Sequence, residues 1–306
     1  MEKPRIVVVG SSNTDMVIKS ERLPGPGETI LGGDFIMAAG GKGANQAVAA
    51  ARIGGEVTFV ARVGDDMFGS GAIENFKTEG MNTNFIVVDQ DNPSGVALIN
   101  VDHHGENSIS VASSANNALS EENVSAASEA IADAQVILIQ LEIPLDTVRH
   151  AAKLAYESGT QVILNPAPAQ ELDDTLLGYI SVLTPNESEA ELLTGVKVTN
   201  ESTALEAAGI LKDKGVGTVV ITMGSQGAFV VTDDESTLVP SKEITPIDTT
   251  AAGDAFNGAL AFAIAEQRPM VEAVRFANLV GALSATKMGA QPSMPTSVEV
   301  EAFSNT

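Results

Sequence analysis

The feature that most constrains this chain is a series of short, unbroken apolar runs: Ile6–Val9, Val57–Val60, Val136–Ile139, Val162–Leu164, Ile180–Leu183 and Val219–Ile221. A run that never alternates with polar residues has no wet face. Each is therefore read as a strand buried on both sides, the condition of a parallel sheet whose crossover helices cover both faces. Helical patterns fill the intervals, at Ala44–Ile53, Phe68–Glu79, Glu121–Ile131, Leu145–Glu157 and Ser202–Lys214. Gly54, Gly80, Gly159 and Gly215 follow the first two and last two of these, where glycine ends a helix because it takes the left-handed conformation without a Cβ penalty. The expected architecture is α/β: a mostly parallel central sheet covered by helices on both faces, with ligands at the carboxyl ends of the strands.

Segments Asp15–Lys19 with Glu28–Met37, and Gly95–Val101 with Ser108–Val111, alternate apolar and polar residues instead. Alternation marks strands with one wet face. The expectation is one small β-sheet lid built from two insertions, about residues 13–38 and 95–112, that closes a site or pairs with a second subunit. The chain of 306 residues has no repeat, linker or low-complexity tract, so one domain over 1–306 is expected.

Composition narrows the function. Seventeen Lys and Arg against 40 Asp and Glu give a net charge of −23, which repels nucleic-acid phosphates and anionic membranes, so neither is an expected partner. The absence of Cys removes disulfides, thiol nucleophiles and iron–sulfur or Cys-zinc sites. The three His, His103, His104 and His150, form no metalloprotease spacing, and His103-His104-Gly105 reads as a hairpin tip rather than a metal site. No stretch approaches the ~18 to 20 apolar residues of a membrane span, and the opening run Ile6–Val9 is too short for a secretory core. A cytoplasmic location is expected.

Polar and glycine-rich segments follow the apolar runs. Gly40 to Gln46 is no Walker loop, since Ile36 stands where the first Gly belongs and Gly43 where Ser or Thr belongs; Gln46 likewise breaks a G-x-G-x-x-G. It is either a plain strand-to-helix turn or a turn delivering backbone N–H groups, Lys42 and Asn45 to a ligand. Asn13 and Asp15 after the first strand, and Glu142 after Val136–Leu141, stand at the ligand edge or simply serve a turn and a strand end. Asn186 and Glu189 have capping-box spacing, which leaves open that Glu189 also orders a hydrated Mg²⁺ through water. In Asp248–Ala259, small residues open a helix whose N–H groups and dipole suit a polyanion. Asp254 stands in its first turn, either to accept a proton from an attacking hydroxyl or merely to favour the dipole.

Two segments, Gly40-Gly41-Lys42-Gly43-Ala44-Asn45-Gln46-Ala47-Val48-Ala49 and Asp248-Thr249-Thr250-Ala251-Ala252-Gly253-Asp254-Ala255-Phe256-Asn257-Gly258, in this order, resemble the two signatures of the ribokinase family of ATP-dependent sugar and nucleoside kinases. Asn165-Pro166-Ala167-Pro168-Ala169, Thr184-Pro185-Asn186-Glu187 and Gly289-Ala290-Gln291-Pro292-Ser293 extend the resemblance nearly end to end. It implies transfer of the γ-phosphoryl group of ATP to the 5-hydroxyl of D-ribose, or alternatively to another furanose or a nucleoside. By the same resemblance Asp254 is the base, and Ala252 and Gly253 offer N–H groups to the transferring phosphate. Asn13, Asp15, Gly41, Lys42, Asn45 and Glu142 would hold the sugar. Asn186, Thr222, Gly224, Ser225 and Gly227 would hold the nucleotide, with Asn278 where the family often places a His beside the adenine. The resemblance also implies Mg²⁺ with ATP, a homodimer through the lid, and K⁺ as monovalent activator. That cation would be held by Asp248, Ser293 and the carbonyls of Thr250, Ser284, Lys287 and Gly289. Aromatic residues are only 4% of the chain, with no Trp, so hydroxyl bonding rather than ring stacking is expected to read the sugar.

Overall fold

The computed structural model describes residues 3–104 and 106–305. Strand β1 (Arg5–Val9) leads to β2 (Asn13–Lys19), β3 (Asp34–Gly40), α1 (Lys42–Arg52), β4 (Glu56–Gly64), α2 (Met67–Thr78), β5 (Asn82–Asp89), β6 (Gly95–Val101) and β7 (Asn107–Ala112). Then follow α3 (Glu121–Ser125), α4 (Ser128–Asp133), β8 (Val136–Ile139), α5 (Leu145–Ser158), β9 (Gln161–Leu164), α6 (Asp174–Leu177), β10 (Val182–Leu183), α7 (Glu187–Thr194) and α8 (Glu201–Asp213). Strands β11 (Thr218–Thr222), β12 (Ala228–Val231) and β13 (Ser236–Val239) precede α9 (Ala252–Ala265), α10 (Met270–Ser284) and α11 (Ser297–Ser304).

The central sheet has nine strands in the order β13-β12-β11-β10-β9-β8-β1-β4-β5. It is parallel except where β12 runs antiparallel to β11 and β13. The unbroken apolar runs have their cause here, because alternate residues enter opposite cores. Ile6, Val8, Leu138 and Ile163 pack with α1, α9 and α10, while Val7, Val9, Ile137, Ile139 and Leu164 pack with α5 and α8. A polar residue at any of these positions would be buried without water.

The two insertions do join into one sheet, in the order β3-β2-β6-β7. Each forms an antiparallel hairpin, and β2 pairs parallel with β6, so that Asp15 lies between Ala38 and Ala97. The second strand of the first hairpin runs from Asp34 to Gly40 rather than from 28 to 37. Inside the expected span Gly32 and Gly33 have positive φ, which does not suit a β-ladder. In the second hairpin Asp102 N–H donates to Glu106 O at 2.9 Å, consistent with a tip at 103–105, although Gly105 lies outside the described residues.

Other differences are local. The helix expected over 121–131 is broken into α3 and α4 at Ala126 and Ala127. Val124, Ala127 and Ile131 are nevertheless all buried, so the apolar face continues across the break and reads as one helix. The strand expected from Ile180 shortens to Val182–Leu183 because Ile180 N–H turns back to Leu177 O at 3.1 Å.

Candidate active site

Close backbone contact assembles the site. A Cβ on Gly43 would lie 2.5 Å from Ser11 N, so only glycine lets the first turn of α1 press against the end of β1. A Cβ on Gly258 would lie 2.6 Å from Gln46 O, so glycine likewise lets α9 approach α1. These two contacts bring Lys42, Asn45 and Gln46 of α1 to Asp254 of α9.

The residues expected to hold a sugar converge from three stretches of chain. Glu142, just past β8, accepts from Ser11 Oγ at 2.5 Å and from Lys42 N–H at 3.0 Å through Oε2. Asn13 Oδ1 accepts from Asn116 Nδ2 at 2.8 Å, which leaves the Asn13 NH₂ group to donate elsewhere. Gly41 has φ 89° and approaches Asn13 so closely that a Cβ would lie 2.7 Å from its N. Burial, then the charges of Glu142 and Asp254, push the Asp15 carboxyl up to about 6. Burial opposes the Lys42 charge, but Asp254, Glu142 and Glu189 outweigh it and raise the lysine above its ordinary range. Asn45 Nδ2 donates to Asp254 Oδ2 at 2.9 Å, whereas the buried Asn45 Oδ1 has no partner among the described residues. Such a mixture of carboxylates, an ammonium and amides suits a ligand rich in hydroxyls, each of which both donates and accepts.

Asp254 is buried near the start of α9. Burial raises its pKa, while Lys42 and the hydrogen bonds from Asn45 and Gln46 pull it down and Glu142 pushes it up; the net direction is upward. A base poised nearer neutrality accepts a hydroxyl proton more readily than an ordinary carboxylate. Ala251 caps the helix in the left-handed conformation, φ 60°. Ala252 N–H donates to Thr249 O at 3.2 Å, so the first-turn donors that find no acceptor among the described residues are those of Gly253 and Asp254.

Against this helix start lies a cleft of about 590 Å³, lined by Asn186, Thr222, Gly224, Ser225, Gly227 and Asn278, the whole set expected to hold a nucleotide, with Ala252 and Gly253 also in its wall. Ile244, Pro246, Phe256 and Ala282 give it an apolar side. Asn278 is anchored by donation from Nδ2 to Val239 O at 2.8 Å. Asn186 and Glu189 form the capping box: Asn186 N–H donates to Glu189 Oε2 at 2.8 Å and Glu189 N–H to Asn186 Oδ1 at 2.9 Å. Burial nevertheless leaves the Glu189 carboxyl above its usual range, with Lys42 opposing and Asp254 adding to the rise.

The residues expected around a monovalent cation join two loops beside α9. Asp248 accepts from Thr250 N–H and from Gly289 N–H, each at 2.9 Å. Burial pushes its carboxyl up, but the Thr250 side chain, the Gly289 and Thr250 N–H groups and the charge of Lys19 together outweigh burial and hold it below the usual range. Ser284 Oγ and Ser293 Oγ share a hydrogen bond of 2.7 Å, and both residues are fully buried. Lys287 N–H donates to Ser284 O at 3.0 Å, while its ammonium turns away to Glu299 at 2.5 Å. Arg52 steadies this corner, donating to the carbonyls of Gln291 and Met294 at 2.8 and 2.9 Å.

Sequence reasoning missed the buried amides behind Asp254: Gln46 donates to it at 2.9 Å, and Gln140 and Asn165 bond to Gln46. The available signal was a lone amide, Gln140, closing an otherwise apolar strand.

The pfkB family carbohydrate kinase model matches residues 3–297. A ribokinase of Haemophilus influenzae is 46% identical over 298 residues, covering 97% of both chains. A deoxyribokinase of Salmonella typhimurium is 39% identical over 292 residues, covering 95% of both. The solved structure of an Arabidopsis thaliana ribokinase complexed with ribose and ATP superposes with a TM-score of 0.91 at 32% identity, covering 99% of both chains. Family match, relatives and architecture agree over nearly the whole length, and the chain belongs to the pfkB family of carbohydrate kinases.

Proposed function

We propose that this protein is a ribokinase that transfers the γ-phosphoryl group of ATP to the 5-hydroxyl of D-ribose. The observation that carries the reading is the position of Asp254: its carboxylate is held by Asn45 among the sugar-site residues, while Ala252 and Gly253 just before it line the 590 Å³ cleft. A base at the junction of an acceptor pocket and a donor cleft is what in-line transfer between them requires.

Ribose lies against Asn13, Asp15, Gly41, Lys42, Asn45 and Glu142, with Asp15 and Glu142 accepting from its hydroxyls and Lys42 donating. Asp254 removes the 5-hydroxyl proton as that oxygen attacks the γ-phosphorus. The bond from γ-phosphorus to the bridging oxygen breaks, leaving ADP and D-ribose 5-phosphate. Charge on the equatorial oxygens is met by the first-turn N–H groups of Gly253 and Asp254. The adenine occupies the apolar side of the cleft beside Asn278.

Two ions fit the residues present. Glu189 would hold Mg²⁺ through water beside the nucleotide phosphates, where the ion would neutralise phosphate charge. The oxygen-only set of Asp248, Ser293 and the carbonyls of Thr250, Ser284, Lys287 and Gly289 suits K⁺, a hard cation that would fix the loop before Asp254.

The lid supports a homodimer. Ile18, Phe35, Met37 and Leu98 share one face by register and are 42%, 62%, 52% and 53% exposed, an apolar patch that a second copy would cover. Among the described residues no helix is long and apolar enough to cross a membrane, and dependence on ATP favours the cytoplasm.

The test is ADP release with ribose, ATP and Mg²⁺, run beside Asp254→Asn. Turnover should fall by ~10² to 10⁴ in the variant while ribose binding persists. Near-normal turnover in folded Asp254→Asn would remove Asp254 as base.

A further inference from the structure

The amides behind Asp254 have a defined polarity. Asn165 Nδ2 donates to the backbone carbonyl of Thr184 at 3.1 Å. A main-chain carbonyl only accepts, so it fixes Asn165 with Oδ1 turned toward Gln46. Gln46 must answer with Nε2, at 3.0 Å, and its Oε1 accepts from Gln140 Nε2 at 2.6 Å. The second hydrogen of Gln46 Nε2 then points at Asp254 Oδ1, 2.9 Å away, while Asn45 occupies Oδ2. Both carboxylate oxygens are thus engaged by donors. A protonated carboxyl would have to turn its O–H away from one of them.

We propose that Gln46 is a positioning residue for phosphoryl transfer: locked by Asn165 and the Thr184 carbonyl, it holds the Asp254 carboxylate ionised and in one orientation toward the acceptor hydroxyl. The inference rests on Asp254 being the base.

The surroundings show why neutral donors matter. The charged groups facing Asp254 are Lys42 from α1, Glu142 from beyond β8, Asp15 from the lid and Glu189 from α7. Three of the four are carboxyl groups, and Lys42 is shared among Asp254, Glu142 and Glu189. Burial and carboxylate repulsion both favour a proton on Asp254, and the hydrogen bonds from Asn45 and Gln46 oppose it. Gln46 is fully buried on a helix whose inward neighbours are Ala44, Ala47 and Val48. Packing alone would be served there by an apolar residue, without the cost of desolvating an amide.

The experiment uses the full chain carrying Gln46→Met, which keeps the side-chain length and removes both donors, and Asn165→Leu, which removes the lock on Gln46. The readouts are kcat/KM for ribose from pH 5.5 to 9 and the ribose Kd by calorimetry at pH 8. In Gln46→Met the acid limb should move to higher pH by about one unit, because a donor to the charged form has been lost. Turnover at pH 7 should drop ~10-fold, with the ribose Kd within ~3-fold of the parent. Asn165→Leu should move the limb in the same direction by less, and it carries the test if Gln46→Met does not fold. An acid limb that stays in place in the folded variant, or a Kd that weakens in step with kcat/KM, would overturn the proposal. Asp254→Asn in the same series separates the premises: activity retained there condemns the base itself, whereas an inactive Asp254→Asn beside an unmoved limb condemns only Gln46.

Discussion

Asp15→Asn should make the protein more stable at neutral pH while spoiling its sugar site. Asp15 accepts no hydrogen bond among the described residues, and burial with Glu142 and Asp254 raises its carboxyl from 3.8 to about 6. A carboxyl with a higher pKa folded than unfolded binds its proton more tightly in the native state. Its contribution is therefore most favourable below pH 3.8 and is lost as pH rises through about 6. At about 1.4 kcal/mol per pH unit, the rise from 3.8 to about 6 sets an upper limit of about 3 kcal/mol at pH 7.5, and partial exposure reduces this to about 1–3 kcal/mol. Asparagine carries no charge and escapes that penalty, which corresponds to a melting temperature about 2–6 °C higher for a chain of this size. The advantage should shrink by about half at pH 5. Ribose affinity should fall by about 1.5–3 kcal/mol, the value of a charged hydrogen bond. Thermal denaturation of both proteins from pH 5 to 8, with calorimetric ribose titration, checks both halves. A variant less stable than the parent at pH 7.5, or a difference that does not change with pH, would show that Asp15 carries no burial penalty.

Gly258→Ala should cost about 1–3 kcal/mol and lower turnover, because its Cβ would meet Gln46 O at 2.6 Å and push α9 off α1; denaturant titration and steady-state rates check this. At constant ionic strength K⁺ should raise the rate, Li⁺ should do so weakly and tetramethylammonium not at all; equal rates in all three would mean that Asp248 merely braces its loops. Light scattering should give a dimer that Phe35→Glu converts to a monomer, since Phe35 is 62% exposed on the lid's apolar face; a parent protein monomeric over a wide concentration range would exclude lid pairing.

Strands buried on both faces were legible because alternate residues of one run enter two cores, as Ile6 and Val8 separate from Val7 and Val9. The break between α3 and α4 was not, because its buried face keeps helical spacing through Val124, Ala127 and Ile131. Asp254 was visible through the small residues that precede it, and Asn186 with Glu189 through cap spacing. The hydrogen bonds from Gln46 and Asn45 to Asp254 join positions 208 and 209 apart, a distance at which no local pattern survives. Nor could spacing show that Ala252 N–H is taken by Thr249 O, which shifts the available helix-start donors one residue onward.

Phosphoryl transfer to one hydroxyl of one sugar can be followed by ³¹P and ¹³C NMR of the reaction with ¹³C-labelled D-ribose. The expected result is ADP and a product with phosphorus coupled to C5, formed with a kcat/KM at least ~10-fold above that for 2-deoxyribose, whose missing hydroxyl leaves polar groups of the site unpaired. Phosphorylation at another carbon, or no ADP above the sugar-free background, would contradict it.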